Sequence, residues 1–569
     1  MDTNLFDYFD DVTGGQGSQS HWTLRAPYSP HERFDLMLVP RSPGWKEDRG
    51  ALAALEGIGA EPWVEAVEPD RNGAWLRLDD AWVAQRGAEL EEGEEAVAGC
   101  GEVAAGRRFA LNFWDANSTK ALHIGHLRNL ALGNALGNAL AEAGGEIERR
   151  SIICDIGRSM GEAMAGVVRS GKYPLASNEN GVKSDHFVGY CYADYVKNGA
   201  SLGLASDHPA DSLTREVDVQ EDSADELLQR VLNGDQSALE LWSQTRAWVI
   251  SGQRKTLARL GIYFDRVFFE SDFLPEVVEL TELGLQEGTM EKRIDGTVVY
   301  MTGREELEEM PLVRSDGVPT QHMRALAYWL ADTGLDGSTS VQVCGQEWFA
   351  HVTCRRKLMA ELVHTGEGNG FHPYHDIFHG MVAKEREKIA SSKKDALLID
   401  HLVEWIDEQL DADPELAEIR RGHPSPDRVA SQVALGFFLL HTATKRVDFS
   451  PEKLLRDGKA LGWDLARARS RNEIEVSRHM GGKPQSGGSV APQSEVAGDP
   501  EYRFAVVQAE TYGRLLGRVA DSLDVAPLAR YASHLSRWAL EEEHPPHVKR
   551  VVQSTLDRAS RGLGLEAAA

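Results

Sequence analysis

The chain has 569 residues, of which 42% are apolar and 26% charged, the composition of a globular protein with two to four domains. A net charge of −28 argues against nonspecific coating of nucleic acid, although a local basic groove can exist in an acidic chain. Five cysteines without a CxxC pair indicate neither a disulfide framework nor a zinc site. The sequence has no run of about eighteen apolar residues and no basic signal region, so we expect a cytoplasmic protein that does not enter a membrane.

The first 108 residues predict a small appended α+β domain. A helix is expected over 49–57, a strand over 73–78 and a helix over 81–90, followed by an acidic, glycine-rich linker over 91–106. We expect no chemistry in this domain.

A strand over 109–113, a helix over 127–143 and a strand over 147–153 predict a parallel βαβ unit. His123-Ile124-Gly125-His126 lies where the first strand passes into the helix. A helix N-terminus, a glycine and two imidazoles favour phosphate binding, which predicts an ATP site at this turn. The alternative is two surface histidines around a capping glycine.

The loop after the second strand of this unit carries Asp155. The carboxyl ends of neighbouring parallel strands face the same ligand, so Asp155 is a candidate for binding a substrate amine or a ribose hydroxyl. Alternatively, Asp155 caps the helix that begins near Ser159.

The next part of the chain is polar and acidic over 170–240, which is typical of a solvated insertion, and a helix is expected over 237–260. A strand over 296–301 and an amphipathic helix from about Thr320 follow. A buried strand over 340–344 ends at Gly345 and leads into a helix over 350–362, which predicts a second loop facing the first across the sheet.

A strand over 376–379 precedes a stretch with lysines and serines over 384–395. Lysines spaced by small hydroxyl residues suit a polyphosphate, whereas a solvated charged face is the alternative. From Asp427 the chain is mostly helical, with a flexible Gly/Ser/Pro-rich segment over 481–498 and a last helical unit over 502–565.

Together these stretches resemble the class I aminoacyl-tRNA synthetases, and within that class the arginyl-tRNA synthetase family. The similarity rests on four motifs spread along most of the chain. The matching residues are Asn117, Lys120, His123, Gly125 and His126; Asp155, Gly157 and Gly161; Gly345, Glu347 and His351; and Gly380, Met381 and Val382 with the stretch from Lys388 to Lys394.

The resemblance implies an α/β fold with a doubly wound, Rossmann-like parallel sheet. The catalytic domain would cover 109–425 with an insertion at about 170–295. The α+β domain over 1–108 would precede it, and a helical domain over 426–569, similar to a trimmed anticodon-binding domain, would follow it. We expect a monomer.

The resemblance also implies ATP-dependent activation of an amino-acid carboxylate as an aminoacyl adenylate. Mg²⁺ would bridge the phosphates without a dedicated protein cage. The implied catalytic residues are His123, His126, Lys120, Lys388, Lys393 and Lys394. The implied ATP-binding residues are Gly125, Gly345, Glu347, His351, Gly380, Met381, Val382, Ser391 and Ser392. The implied amino-acid-binding residues are Asn112, Asn117, Asp155, Ser159, Gln321, Ala325 and Trp348.

The chain departs from the family pattern in the amino-acid pocket. Asn112 replaces a Glu, Gln321 a Tyr and Ala325 an Asp, and Ser159 and Trp348 replace two polar residues. The missing carboxylates would leave a bound guanidinium unpaired, at a cost of about 3 to 5 kcal/mol, so we expect a substrate other than arginine.

Three functions are open at this point. The acyl group could pass to a tRNA 3′ end, as the family implies. A tRNA-independent amide ligase would instead pass the adenylate to a small amine. A third alternative is a non-catalytic tRNA- or nucleotide-binding paralogue.

Overall fold

The computed structural model describes most of the chain. The described residues are 22–31, 33–91, 103–171, 181–198, 223–331, 337–365, 374–384, 387–388, 397–450, 454, 461–480, 496–541 and 543–566. Most of the predicted linker and flexible segment therefore lies outside them. No helix among the described residues is both long enough and apolar enough to cross a membrane.

Helices make up most of the described structure. They are α1 (Arg49–Gly59), α2 (Asp80–Glu91), α3 (Ile124–Glu142), α4 (Arg158–Arg169), α5 (Ser184–Asn198), α6 (Ala224–Leu232), α7 (Gln236–Leu260), α8 (Leu274–Gln286), α9 (Gln321–Ala331), α10 (Phe349–Thr365), α11 (Ile399–Ala412), α12 (Pro414–Gly422), α13 (Val429–Leu439), α14 (Leu461–Met480), α15 (Pro500–Ser522), α16 (Ala526–Glu541) and α17 (Pro546–Gly562).

The strands form four sheets. They are β1 (Trp22–Arg25), β2 (Leu36–Pro40), β3 (Val64–Asp70), β4 (Gly73–Leu78), β5 (Arg108–Asn112), β6 (Glu146–Ile153), β7 (Arg266–Phe269), β8 (Glu291–Lys292), β9 (Val298–Arg304), β10 (Leu307–Val313), β11 (Thr339–Gly345), β12 (Tyr374–His379), β13 (Val382–Lys384), β14 (Glu387–Lys388) and β15 (Val447–Asp448).

The central sheet has five parallel strands in the order β12-β11-β5-β6-β7. The first strand, β5, is in the middle: Phe109 pairs with Ile147 of β6 on one side and with Thr339 of β11 on the other. The winding direction therefore reverses between β5 and β11. In a doubly wound sheet the ligand crevice lies at this reversal, outside the carboxyl ends of the two strands. The predicted doubly wound α/β fold is confirmed.

Helix α3 connects β5 to β6 and forms the centre of the main hydrophobic core. Most of its residues are buried, because the sheet covers one side and helices of the C-terminal domain, including α13, α15 and α17, cover the other. Burial of this helix is therefore not confined to one apolar stripe, as it would be in an amphipathic surface helix. Its N-terminus is therefore held firmly at the end of β5.

The N-terminal domain is a four-stranded antiparallel sheet in the order β1-β2-β4-β3 with two helices. It is docked on the C-terminal domain through two buried arginines. Arg503 of α15 lies 2.7 Å from a carboxylate oxygen of Asp35, and Arg86 of α2 lies 2.5 Å from one of Glu510. The α+β character was predicted, but of its four strands only β4 was.

Helices α4 to α7 pack around a second hydrophobic cluster that includes Met160, Val188 and Leu228. Helix α5 is buried along one side, which the polar composition of 170–240 did not indicate. The reason is that the acidic residues cluster elsewhere, while α5 itself carries Phe187 and Val188 on its packed face. This region is therefore in part a packed extension of the core beside the sheet.

Candidate nucleotide and amino-acid site

The histidine loop, defined here as residues 117–126, lies at the carboxyl end of β5 and enters α3. His123 is the N-cap residue, and its Nδ1 accepts a hydrogen bond from the Gly125 N–H at 3.0 Å. The His126 Nδ1 accepts one from the His123 N–H at 3.1 Å. Because each Nδ1 is an acceptor, a neutral ring carries its proton on Nε2. The backbone thus makes both imidazoles Nε2–H donors.

The two rings lie 3.9 Å apart between centroids. Burial, with Lys120 nearby, lowers the pKa of His123 to about 3 and the pKa of His126 well below its ordinary value. Both side chains are nevertheless partly accessible, so they line a cleft. Gly125 is required here, because a Cβ at this position would lie 2.8 Å from the His123 Cε1.

Lys120 is a cation in the same cleft. Burial lowers its pKa, which means that the ammonium has lost hydration that an anionic ligand would replace. Helix α7 holds the main chain around it: the Gln253 side-chain amide donates to the carbonyl oxygens of Asn117 at 3.0 Å and Lys120 at 2.7 Å.

A second glycine loop is joined to α3 by a buried arginine. The Arg128 guanidinium donates to the carbonyl oxygen of Gly380 at 2.6 Å and to that of Ala443 at 2.9 Å. A Cβ on Gly380 would lie 2.5 Å from the main chain of Lys445, so only glycine fits. The structure therefore brings Gly380, Met381 and Val382 next to the N-terminal end of α3.

The structure describes only the two ends of the lysine- and serine-bearing stretch. Lys388 lies in β14, whose partner is Ala383 of β13. The stretch is followed by residues 397–399, which pair with the histidine loop: the Ile124 N–H donates to the Leu397 carbonyl oxygen, and the Ile399 N–H donates to that of Leu122, both at 3.0 Å. Four predicted site residues lie outside the described residues: Ser391, Ser392, Lys393 and Lys394.

Asp155 is fully buried, and both of its carboxylate oxygens are bound by the protein. Arg246 donates to Oδ2 at 2.8 Å, and Ser271 donates to Oδ1 through its N–H at 2.9 Å and to Oδ2 through its hydroxyl at 2.7 Å. The suggestion that Asp155 caps α4 is wrong, because the N-cap residue is Gly157. The contacts give Asp155 a role in joining β6 to α7 and β7.

The pocket residues Asn112, Gln321, Ala325 and Trp348 belong to elements around the carboxyl ends of β5 and β11. The Asn112 Oδ1 accepts a hydrogen bond from the Tyr328 hydroxyl at 2.8 Å, while its Nδ2 is buried with no hydrogen-bond partner among the described residues. Ser159 lies in the first turn of α4. Glu347 is exposed in the turn after Gly345.

His351 stacks on His322, with 4.6 Å between the ring centroids, and Trp348 lies beside both rings. Burial lowers the pKa of His322 to about 4 and also lowers the pKa of His351. Within the described part of the chain, the Nδ1 atoms of both histidines lack hydrogen-bond partners. The pocket thus has a neutral aromatic wall.

Asp115 is a cleft residue that the sequence did not reveal. Its side chain is exposed, yet the surrounding protein raises its pKa to about 6, mainly by desolvation and against the attraction of Arg355. A carboxylate that is accessible but poorly hydrated belongs to a cleft. The sequence did offer one sign that Asp115 belongs to the site, because it lies between Asn112 and Asn117, two residues predicted to bind the amino acid.

Two arginines near the pocket were also missed. Arg324 forms a buried salt bridge with Glu270 at 2.6 Å. Arg355 is buried; it donates to the Gln342 side-chain oxygen at 3.2 Å, and burial lowers its pKa to about 10. These contacts join distant parts of the sequence, so no local pattern indicated them.

Metal-ligand spacing occurs within the described residues at Asp185, His186 and Asp400. The Lys183 ammonium lies 2.7 Å from Asp400 and 3.1 Å from Asp185, so it occupies the position that a cation would take.

Comparison with known proteins finds relatives among the arginine–tRNA ligases. The arginine–tRNA ligase of Amoebophilus asiaticus is 29% identical over 362 residues, which cover 61% of this chain and 59% of that protein. The arginine–tRNA ligase of Borrelia hermsii is 25% identical over 418 residues, covering 70% and 66%. The chain thus spans somewhat less than two thirds of the length of these curated relatives. No protein-family model matches the chain.

Two solved structures share the fold. Thermus thermophilus arginyl-tRNA synthetase superposes with a TM-score of 0.66 at 17% identity, covering 99% of both chains. The Plasmodium falciparum enzyme superposes with the same TM-score at 13% identity, covering 99% of this chain and 98% of that one.

The parallel sheet and the helix that follows its first strand are shared with these solved arginyl-tRNA synthetases. The chain is similar to arginyl-tRNA synthetases in both sequence and structure, which confirms the resemblance predicted from the motifs.

Proposed function

We propose that this chain is an ATP-dependent ligase that activates an amino-acid carboxylate as an aminoacyl adenylate, releases pyrophosphate and transfers the acyl group to a tRNA 3′ end. The observation that carries this proposal is the paired Nε2–H donors of His123 and His126 at the N-terminus of α3, beside Lys120. Three donors and a helix dipole converge on one cleft, which suits a phosphate under attack.

In the proposed reaction a substrate carboxylate oxygen attacks the α-phosphorus of ATP. The new bond joins that oxygen to phosphorus, and the bond from the α-phosphorus to the bridging oxygen breaks, so that pyrophosphate leaves. His123 and His126 donate to the phosphate oxygens as negative charge develops on them. Lys120 neutralises charge on the leaving pyrophosphate.

The proposal gives Lys388, Lys393 and Lys394 the same task as Lys120, with Ser391 and Ser392 donating to the polyphosphate. Gly345, Glu347, Gly380, Met381 and Val382 are proposed to border the nucleotide. Mg²⁺ bound together with the nucleotide would supply further charge neutralisation.

We propose that the substrate is not arginine. At the positions expected to pair with a guanidinium, Asn112 offers an amide and Ala325 no polar group, while Glu270 is already bound to Arg324. The guanidinium of a bound arginine would also be repelled by the cationic side chains of Arg324 and Arg355.

Asp115 is the best candidate for holding the substrate ammonium. Asp155 was assigned that role from the sequence, but its oxygens are occupied by Arg246 and Ser271. Asp115 is accessible and lies two residues before Asn117, and a bound ammonium would offset the desolvation of its carboxylate.

A tRNA acceptor is supported by the extent of the structural likeness. Superposition on the Thermus thermophilus enzyme covers 99% of both chains, so it includes the N- and C-terminal domains as well as the catalytic domain.

The test is amino-acid-dependent exchange of radiolabelled pyrophosphate into ATP, measured for the twenty amino acids with and without total tRNA. We expect exchange with an amino acid other than arginine and, with that amino acid, acid-precipitable product that ribonuclease removes. Exchange with arginine alone would contradict the altered specificity. A ribonuclease-resistant small amide as product would contradict the tRNA acceptor.

A further inference from the structure

A buried charge network lies beside the histidine loop. The Lys183 ammonium is 2.7 Å from Oδ2 of Asp400 and 3.1 Å from Oδ2 of Asp185, and it donates to the Thr256 hydroxyl at 2.5 Å. The Nε2 of His186 is 2.9 Å from the same Asp400 oxygen. We call these five residues the Lys183 network.

The Lys183 network joins three helices. Asp185 and His186 lie at the start of α5, Thr256 lies in the last turns of α7, and Asp400 is the second residue of α11. Asp185 and Asp400 are buried, so their carboxylates depend on these contacts. Burial alone would raise the pKa of Asp400, but hydrogen bonds from His186 and Lys183 bring it below its ordinary value, which keeps the carboxylate ionised.

The first residues of α11 are in turn bonded to the histidine loop. The Ile124 N–H donates to the Leu397 carbonyl oxygen and the Ile399 N–H to that of Leu122, so the two bonds flank His123 on both sides. Asp400 follows directly after Ile399. A short series of contacts therefore runs from Lys183 through Asp400 to the backbone of His123.

The position of that backbone decides the direction of both imidazoles. The His123 N–H donates to the His126 Nδ1, and the His123 side chain caps the helix that it begins. A shift of the main chain at residues 122–124 would therefore move both Nε2–H donors. Misplacing a catalytic group by about 1 Å can cost on the order of 100-fold in rate.

We propose that Lys183 and Asp400 are positioning residues, which hold the start of α11 against the histidine loop and thereby aim the His123 and His126 donors. The inference rests on the proposed function for its effect on catalysis. It adds to that function a requirement for two side chains that do not come from the parallel sheet: Lys183, directly before α5, and Asp400 of α11.

A matched control comes from the junction of the N- and C-terminal domains. Arg503 and Asp35 form a salt bridge of 2.7 Å that is at least as buried as the one between Lys183 and Asp400, and neither residue belongs to the histidine loop, α5, α7 or α11. Asp35→Asn therefore removes a buried charge without touching α11. If the Lys183 network acted only through global stability, its variants and Asp35→Asn would change hydrogen exchange at the histidine loop to the same extent.

The experiment compares Lys183→Met, Asp400→Asn and their double variant with Asp35→Asn, well below each unfolding temperature. Hydrogen exchange of the Ile124 and Ile399 amides is followed in peptides that span them. We expect faster exchange at both amides in the three network variants and wild-type exchange in Asp35→Asn. Thr256→Val, which keeps the volume and removes only the hydroxyl, serves as a milder variant should the charge changes prevent folding.

Pyrophosphate exchange supplies the second readout. We expect the single network variants to lower kcat by about 10- to 100-fold while the KM for ATP changes by less than about twofold. The double variant should be no worse than the poorer single one, because both substitutions break one set of contacts.

The two proposals can fail separately. Wild-type protection of both amides in Lys183→Met and Asp400→Asn, or equal loosening in Asp35→Asn, overturns the positioning inference. A wild-type chain without pyrophosphate exchange overturns the proposed function, and the amide measurement then still decides whether the network holds the histidine loop.

Discussion

On the proposed phosphate side and the proposed amino-acid side of the cleft, the histidine rings differ in whether the protein itself satisfies their Nδ1 atoms. At the histidine loop, the Nδ1 atoms of His123 and His126 accept bonds from the backbone. In the pocket, polar atoms are buried without a partner in the described structure: Asn112 Nδ2, His322 Nδ1, His351 Nδ1 and Arg355 Nε.

Under the proposed function, this difference bears on which side of the cleft selects the amino acid. Donors held by backbone contacts need no ligand to be oriented, which suits a phosphate common to every reaction cycle. Buried polar atoms without partners are costly in the free protein, and a substrate that bonds to them gains that energy. We therefore propose that the pocket carries the selectivity and that its departures from the family pattern determine the substrate.

The largest effect should come from the phosphate side. His126→Ala removes one Nε2–H donor and the acceptor of the His123 N–H, so we expect kcat for pyrophosphate exchange to fall by about 100- to 1,000-fold. His31→Ala, in the N-terminal domain, is the control and should keep the wild-type rate. Similar rates in the two variants would remove His126 from the site.

The next effect tests the pocket. Asn112→Glu combined with Ala325→Asp restores two carboxylates, and we expect arginine-dependent exchange to rise by about 100-fold. Asn112→Gln with Ala325→Asn has matched volumes without the charges and should show no such gain. An equal gain in both pairs would mean that charge does not select the substrate.

Asp115 should give the cleft a pH dependence. With a pKa of about 6, its carboxylate ionises as the pH rises through 6, so kcat/KM for the amino acid should increase over that interval if Asp115 binds an ammonium. Asp115→Asn should abolish the increase and lower kcat/KM by about 10-fold at pH 8. The surface variant Asp225→Asn should retain the wild-type profile; a profile unchanged by Asp115→Asn refutes the assignment.

The smallest expected effect concerns the stability of the fold and not the activity of the cleft. His423 is buried directly after α12, and burial lowers its pKa to about 4, below the value of about 6.5 in an unfolded chain. The unfolded state therefore binds the proton more readily between these values. The stabilising contribution of neutral His423 is complete above pH 6.5 and is lost as the pH falls towards 4.

His423→Asn should reduce the loss of unfolding free energy on acidification by up to about 1.4 kcal/mol per pH unit in that interval. Denaturant titrations at pH 7, 6, 5 and 4 measure it, with pyrophosphate exchange at pH 7 expected to stay at the wild-type rate. An identical pH slope in the variant would show that His423 does not contribute.

The sequence predicted those features that have local causes. The strand, helix and strand of the first βαβ unit are recognisable from periodicity, and the histidine loop from its glycine and helix start. The helix begins at Ile124 rather than Leu127 because the His123 side chain caps it, which residue spacing did not show. Strand β7, at Arg266–Phe269, was missed because four residues carry little periodic signal.

The parts that were not predicted depend on contacts between distant segments. The salt bridge between Arg324 and Glu270 spans 54 positions, and Asp400 contacts Lys183 across 217. Asp155 appeared available in the sequence, whereas Arg246 and Ser271 occupy its oxygens in the folded chain. Such partners are set by packing, which a linear pattern does not encode.

The buried contacts of Arg503 with Asp35 and of Arg86 with Glu510 have a practical consequence for dissecting this chain. A fragment starting at residue 109 would retain Arg503 and Glu510 and lose both of their partners. The deletion would also expose to water the hydrophobic core that the N-terminal domain shares with α15. The N-terminal domain is therefore not a module that can be deleted to ask what it recognises, and its role is better probed by surface substitutions in the intact protein.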